Sequence, residues 1–275
     1  MPQDPVPRYG IHLQESAADA VGRAVESLRL LGFAIVDGLF DAASLQSLRE
    51  NFAAAHRSSL ACFGDEALRE IDEHNTVRCM LAADPVFLDL AMNPQILKIA
   101  EGLLGPGFIL NQQNGIINPG DGSGYNQAAY HRDLPYQHFT SSRPLALNAL
   151  FCIDNFTFDN GATLVVPASH KVEAFPSDDM VRATQQAVTA PAGSFIVLDC
   201  MTFHCGGQNR SGRDRRAVNH VYTIGAMRQQ IDLPAFLGDD FSHDPDVRRL
   251  LGYNYGTPRS PGEYYALRRQ KLRHC

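Results

Sequence analysis

Beyond Gly105-Pro106-Gly107 the chain breaks into short runs of β-branched and aromatic residues, each stopped by Gly, Pro, Asn or Asp, with no helices regularly between them. Nothing else in the sequence limits the fold as strongly. A parallel sheet needs a crossover of a dozen or more residues between neighbouring strands, usually a helix. Runs this closely spaced therefore predict antiparallel pairing, in a mainly β fold with a double-sheet jelly-roll core: a cupin-like double-stranded β-helix with flanking helices. The expected strands cover 108–118, 130–132, 145–153, 163–167, 187–190, 194–199, 202–204 and 217–225. Pro119 stops the first of them, and 120–126 is a Gly-rich loop.

The residues before Gly105 read differently. Val21, Ala24, Val25, Leu28 and Leu31 fall on one face of a helix over 17–31, which Gly32 ends. A short strand over 33–36 follows, and Asp41 caps a helix running to about residue 56. Further helical patterning covers 65–72, 86–91 and 94–104. The expectation is one domain over 1–275: a mostly helical part over 1–105, a jelly-roll core over 106–226 and a helical extension over 227–275.

With 275 residues, 44% of them hydrophobic, the chain can bury one large core. A net charge of −6, with Lys and Arg dispersed, argues against nucleic-acid binding. Basic residues cluster only between Arg248 and Arg273, on a helical stretch read as a solvated face, with an anionic contact as the alternative. Cysteines at 62, 79, 152, 200, 205 and 275 have no regular spacing, which fits a reducing cytosol. Neither a leader-like stretch over 1–10 nor a membrane-spanning window is apparent, so a cytoplasmic protein without membrane partners is expected, as monomer or homodimer, acting on a small molecule.

Tyr130-His131-Arg132-Asp133 sets an imidazole and a carboxylate two apart, and alternate strand residues share a face. A second imidazole from a later strand would complete a 2-His-1-carboxylate set, which suits iron(II) because three positions stay open for cosubstrate and oxygen. His204 is the candidate: it ends the run Thr202-Phe203-His204 before Cys205-Gly206-Gly207, where glycines permit close approach. Arg215 lies just before an apolar strand, and a partly buried arginine can grip a carboxylate with two parallel hydrogen bonds. Strand parity puts Arg215 and Ala217 on one face and Arg216 on the other. Arg213 reads as decorating a turn.

These residues resemble the phytanoyl-CoA dioxygenase-like family of iron(II)- and 2-oxoglutarate-dependent oxygenases. His131-x-Asp133, the run from Asn160-Gly161 through Pro167-Ala168-Ser169-His170-Lys171, and Phe203-His204 followed by Arg215 occur in the family's order over about residues 108–222. The resemblance implies iron held by His131, Asp133 and His204. It also implies 2-oxoglutarate held through its distal carboxylate by Arg215, with a further cosubstrate contact from Asn114, or from Gln112 on the same face. O2 would be the oxidant and ascorbate a stimulant. The implied reaction hydroxylates an unactivated C–H bond of a small metabolite, releasing succinate and CO2. Asp133 argues against halogenation, since related halogenases carry a small residue there. His170 is read as structural, His138 and His220 as packed or hydrogen-bonded.

One position departs from the pattern. Many members carry serine two residues after the distal histidine, where it helps to hold the cosubstrate; here that residue is Gly206. Tyr130, Arg132, Leu134, Tyr136, Gln137, Arg78 and the loop 120–126 are the candidates for the substrate lining. Two other classes stay open: a metal-dependent jelly-roll enzyme that does not use 2-oxoglutarate (an oxygen-only dioxygenase, isomerase or hydrolase), and an inactive binding protein.

Overall fold

The computed structural model describes residues 19–273 together with residues 6, 9, 10 and 17. The reading of 1–10, apart from residues 6, 9 and 10, and Cys275 lie outside the described residues. Nine α-helices, four short 3-10 helices and nine strands are present among the described residues. In chain order the α-helices and strands are α1 (Ala20–Leu31), β1 (Phe33–Asp37), α2 (Ala42–Phe63), α3 (Asp65–Glu70), β2 (Thr76–Arg78), α4 (Pro85–Ala91), α5 (Pro94–Leu104) and β3 (Phe108–Asn118). There follow β4 (Ala146–Cys152), β5 (Thr163–Val165), α6 (Asp178–Thr184), β6 (Gln186–Val188), β7 (Ser194–Asp199), β8 (His204–Gly206) and β9 (Arg215–Ile224), then α7 (Leu233–Leu237), α8 (Pro245–Leu250) and α9 (Pro261–Arg273).

The helical boundaries have local causes. Asp19 accepts from Gly22 N at the start of α1, and Gly32, at φ 84°, ends it while donating to Ser27 O and Leu28 O. A side chain at 32 would also collide with Thr202 and His170, so glycine is required for space as well as for conformation. Asp41 caps α2 as expected, but the helix runs on to Phe63 because no breaker intervenes before Gly64.

All strand pairing is antiparallel. A six-stranded sheet has the order β1-β7-β4-β9-β3-β2, and a three-stranded sheet the order β6-β5-β8. His131 extends the smaller sheet through an isolated bridge to His204, with His131 N to His204 O at 2.9 Å and the reverse bond at 3.0 Å. The expected strand 130–132 is thus reduced to this bridge. β2 was not anticipated; it is too short to carry a period, and it forms by pairing Thr76–Arg78 with Asn114–Ile116 of β3.

The larger sheet is covered on both faces, which explains why β4 and β7 are almost continuously apolar. Leu147, Ala149, Phe151, Phe195, Val197, Val218 and Tyr222 pack with Leu28, Leu48, Phe52, Phe87 and Ile99 of the helices. The alternate residues Cys152, Ile196, Leu198 and Ala217 pack with Val165 and Val188 of the smaller sheet. One face therefore meets helices, and the other looks across at the second sheet. No helix among the described residues is long and apolar enough to cross a membrane. Within the basic C-terminal cluster, Arg248 bonds Asp239 O and Ser242 O, whereas α9 is exposed where its side chains are described.

Candidate metal centre and anion site

His131, Asp133 and His204 converge. Their ligand atoms lie within 4.8 Å of one another, with each histidine Nε2 3.7 Å from Asp133 Oδ1. That spacing exceeds hydrogen-bond length but is within reach of two atoms that each stand roughly 2 Å from one ion. Both rings are aimed by the backbone. His131 Nδ1 lies 2.8 Å from Ala129 O, and His204 Nδ1 lies 2.8 Å from Thr202 O. A carbonyl can only accept, so each Nδ1 carries the hydrogen and each Nε2 turns its lone pair to the shared point. Asp133 is fixed as well: its amide donates to Cys200 O at 2.9 Å and its Oδ2 accepts from Asn148 Nδ2 at 3.0 Å.

The electrostatics suit a cation. Burial pushes the Asp133 carboxyl up, but His204, His131 and the Asn148 amide more than reverse this and hold it at about 2. Burial is the largest single influence on His131 and lowers it, but the Asp133 carboxylate and the Ala129 carbonyl together outweigh it, so its value ends above the ordinary one. Burial dominates at His204, which ends below. The site is thus an ionised carboxylate beside imidazoles that cannot both hold a proton, and a divalent ion would replace that proton.

On β9, Arg215 shares the sheet-facing side with Ala217, and Arg216 the other. Arg215 is only 3% exposed, yet its Nε and Nη1 have no hydrogen-bond partner. Its Nη2 lies 3.4 Å from the Tyr125 hydroxyl, and its guanidinium stacks 3.9 Å from the Phe156 ring centre. No carboxylate pairs with it among the described residues. An unpaired buried charge costs several kcal/mol, so this is the arrangement expected of a site that a ligand anion completes. Arg213 is exposed on the turn, as expected.

The other candidates scatter. Gln112 and Asn114 stand opposite Val221 and Asn219 in the β3–β9 register, on the face of Arg215; Asn114 is already engaged by Gln230 at 3.1 Å, while Gln112 makes no side-chain hydrogen bond among the described residues. Tyr130 stacks on Phe203 at 4.9 Å and donates to Gln185 Oε1 at 2.5 Å. Arg132 is a correction. Alternation turns it away from His131 and Asp133, and its buried guanidinium donates to the carbonyls of Gln137, Glu173, Ser169 and Val172 at 2.5–3.0 Å. It anchors a loop and has no free donor for a substrate except Nε. Leu134 packs with Ala146, Cys200, Met201 and Val221. Tyr136 is 64% exposed against His138 and Phe139, and the Gln137 side chain faces Arg132 N. Arg78 pairs with Glu73 and bonds Gln230 at 3.1 Å.

None of the other candidate histidines joins the centre. His170 lies against Arg29 O, His220 is held neutral by burial on the helix side between Ala149 O and Gln113, and His138 packs on Phe175. Sequence reasoning missed Asn148. The signal was there, a lone amide within an apolar strand.

Comparison with known proteins follows this geometry. The family described as Phytanoyl-CoA dioxygenase (PhyH) matches residues 28–217. Uncharacterized protein Rv1501 of Mycobacterium tuberculosis is 34% identical over 87% of this chain and 89% of its own length. The iron/alpha-ketoglutarate-dependent dioxygenase penM of Penicillium thymicola is 33% identical over 45% of this chain and 41% of its own. Among solved structures, EctD from S. alaskensis with 2-oxoglutarate and 5-hydroxyectoine superposes with a TM-score of 0.64 at 20% identity, over 81% of this chain and 82% of that one, which shows a shared fold. The family and the relatives' names indicate an iron- and 2-oxoglutarate-dependent dioxygenase. The match covers well over half of the sequence and contains both histidines, the carboxylate and Arg215: the chain belongs to the phytanoyl-CoA dioxygenase family.

Proposed function

We propose that this protein is an iron(II)- and 2-oxoglutarate-dependent dioxygenase that hydroxylates an unactivated C–H bond of a small polar metabolite, releasing succinate and CO2. The two sheets would be the halves of a double-stranded β-helix, with the reaction between them. His131, Asp133 and His204 would hold the iron, and Arg215 would grip the distal carboxylate of 2-oxoglutarate. The observation that carries this reading is the buried, unpaired guanidinium of Arg215 on the sheet face that also presents Asn148 to Asp133. A metal centre alone has no use for it, whereas a dicarboxylate cosubstrate does.

The donor set fits the group. Two neutral imidazoles and one carboxylate on one side of an ion leave positions open, and iron(II) so held supplies the reaction of oxygen with 2-oxoglutarate. The protein's own part is orientation and exclusion. The Ala129 and Thr202 carbonyls fix the imidazole tautomers, and Asn148 keeps the second oxygen of Asp133 occupied. The apolar packing of Cys152, Ile196, Leu198 and Ala217 keeps water from the inner face. Substrate polarity is supported by Asn219 Oδ1 and Thr223 Oγ1, buried acceptors on the same face without protein partners.

The test is oxygen consumption and succinate release with a panel of small metabolites, with and without iron(II). Iron-dependent succinate formed in step with oxygen uptake is expected. Turnover without 2-oxoglutarate would instead favour another metal-dependent jelly-roll enzyme. Failure to bind iron(II) anaerobically would favour a binding protein.

A further inference from the structure

Resting on the reading of Arg215 above, we propose that Tyr125 is the second anchor of the cosubstrate's distal carboxylate: its hydroxyl donates to the carboxylate that Arg215 pairs with, and Gly206 is a glycine so that it can arrive there.

Position 206 is two residues after His204 on β8, so a side chain there would share the face of the metal ligand. A Cβ at 206 would stand 1.7 Å from the Tyr125 hydroxyl oxygen and 2.7 Å from its Cζ, an overlap with the phenol. The space normally available to a residue-206 side chain is filled by a phenol from another segment. That phenol is buried and meets Arg215 Nη2 at 3.4 Å. In that contact the hydroxyl accepts, which leaves its own proton without an acceptor among the described residues. Arg215 Nε–H and Nη1–H also have none. Each open edge of the guanidinium includes Nη2, the nitrogen that the phenol touches, so a carboxylate paired with either edge lies beside the hydroxyl and can accept from it as well.

The segment that delivers Tyr125 is pinned on either side. Gly120 packs on the backbone of Arg213, and its amide donates to Asp214 Oδ1 at 3.0 Å; Asn126 Nδ2 donates to Asp72 O at 3.0 Å. The loop 120–126, expected to line the substrate, sends its aromatic residue to the anion site, and the chain then continues to His131.

The test is anaerobic calorimetry on the iron(II)-loaded protein with two probes, 2-oxoglutarate and 2-oxobutyrate, which keeps the keto acid but lacks the distal carboxylate. Tyr125→Phe, which preserves the ring, should raise the Kd for 2-oxoglutarate about tenfold and leave that for 2-oxobutyrate unchanged. Gly206→Ser in a Tyr125→Ala background should recover part of the affinity lost by Tyr125→Ala alone, because a hydroxyl returns to the vacated space. Wild-type affinity for 2-oxoglutarate in Tyr125→Phe, or equal weakening for both keto acids, would overturn the assignment while leaving Arg215 intact. A wild-type protein that binds no 2-oxoglutarate, or an Arg215→Ala variant that binds it undiminished, would remove the underlying reading and this proposal together.

Discussion

Arg215 and Arg216 are neighbours in sequence and opposites in circumstance. Arg216, on the helix side of the larger sheet, is paired twice with Asp154 at 2.9 and 2.8 Å, and Asp154 is approached again by Arg49 of α2 at 3.6 Å. Arg215, on the inner side, is more deeply buried and pairs with no carboxylate. The contrast extends along the sheet. On the helix side His220 meets Ala149 O and Gln113, and Tyr222 donates to Ala91 O at 2.9 Å; among the described residues of that face, only Gln113 Oε1 is left over. The inner side keeps Asn148 Oδ1, Asn219 Oδ1, Thr223 Oγ1 and two Arg215 nitrogens unsatisfied. A protein that satisfies one face and not the other has reserved the second for something it binds.

Removing a metal ligand should break the contrast most severely. His204→Ala is expected to lower iron(II) affinity by more than about a hundredfold, beyond what loss of an outer partner costs, with turnover abolished and the fold kept. Metal content after anaerobic loading is the measurement, and near-stoichiometric iron would remove His204 from the centre.

The arginine pair gives the next effect. Arg215→Ala should weaken 2-oxoglutarate binding by about ten- to a hundredfold, the scale of a charge-assisted contact of roughly 1.5–3 kcal/mol. Arg216→Ala should leave that affinity alone and lower stability by about 1 kcal/mol. Arg215→Met should raise the Tm of the metal-free, cosubstrate-free protein, because an unpaired buried cation is replaced by a hydrophobe. A cosubstrate affinity equally sensitive at both positions would erase the distinction between the faces.

Much of this was legible from residues alone, for reasons that can be named. Antiparallel pairing followed from the spacing of strands, and strand parity separated Arg215 from Arg216, because a period of two survives any packing context. Parity also put Gln112 and Asn114 on one face, since both lie beyond the irregularity between Leu110 and Gln112. What parity could not supply was the path of the irregular segments. Arg132 looked available because nothing local reveals that the carbonyls of Ser169, Val172 and Glu173 close around it. Tyr125 was hidden in a Gly-rich loop, and the absence of serine at 206 looked like a missing contact until the phenol was seen in its place. Both depend on chain separations that a local pattern does not encode.

Asp199 tests the helix side by its one poorly matched charge. It stands opposite Leu147, and burial, helped by the Asp133 carboxylate, raises its carboxyl to about 6 despite the Met201 amide and the nearby Lys171 and Arg132. A carboxyl raised in the folded state is protonated in both states below about pH 4, so no penalty exists there. Between about pH 4 and 6 the unfolded chain ionises first, and stability falls as pH rises; above the folded value the loss is complete. Asp199→Asn should abolish this contribution and be more stable at pH 7 by about 3 kcal/mol, given roughly 1.4 kcal/mol for each pKa unit. Denaturant melts at pH 4 and pH 7 check it, and a variant no more stable at pH 7 than at pH 4, relative to wild type, would show that Asp199 is better compensated than its burial implies.

Asn148 is the finest test because stability and function should part there. It lies on the inner face between Ala146 and Leu150, in a strand otherwise built from apolar residues, and its Oδ1 finds no partner. Leucine suits an apolar strand and removes an unsatisfied acceptor, which offsets the donor that the buried Asp133 carboxylate loses, so the metal-free Asn148→Leu protein should stay folded with a stability within about 1 kcal/mol of wild type. The same change takes the amide from Asp133 Oδ2, leaving the carboxylate free to rotate and its second oxygen buried without a donor. Iron(II) affinity should then fall about tenfold, the lower end of what outer partners contribute. Unaltered affinity in a well-folded Asn148→Leu protein would mean that Asp133 is aimed by its backbone bond to Cys200 alone, and the amide would lose its place in the centre. A fall in affinity with undiminished stability would locate the reason for an amide in this strand at the metal and not in the packing.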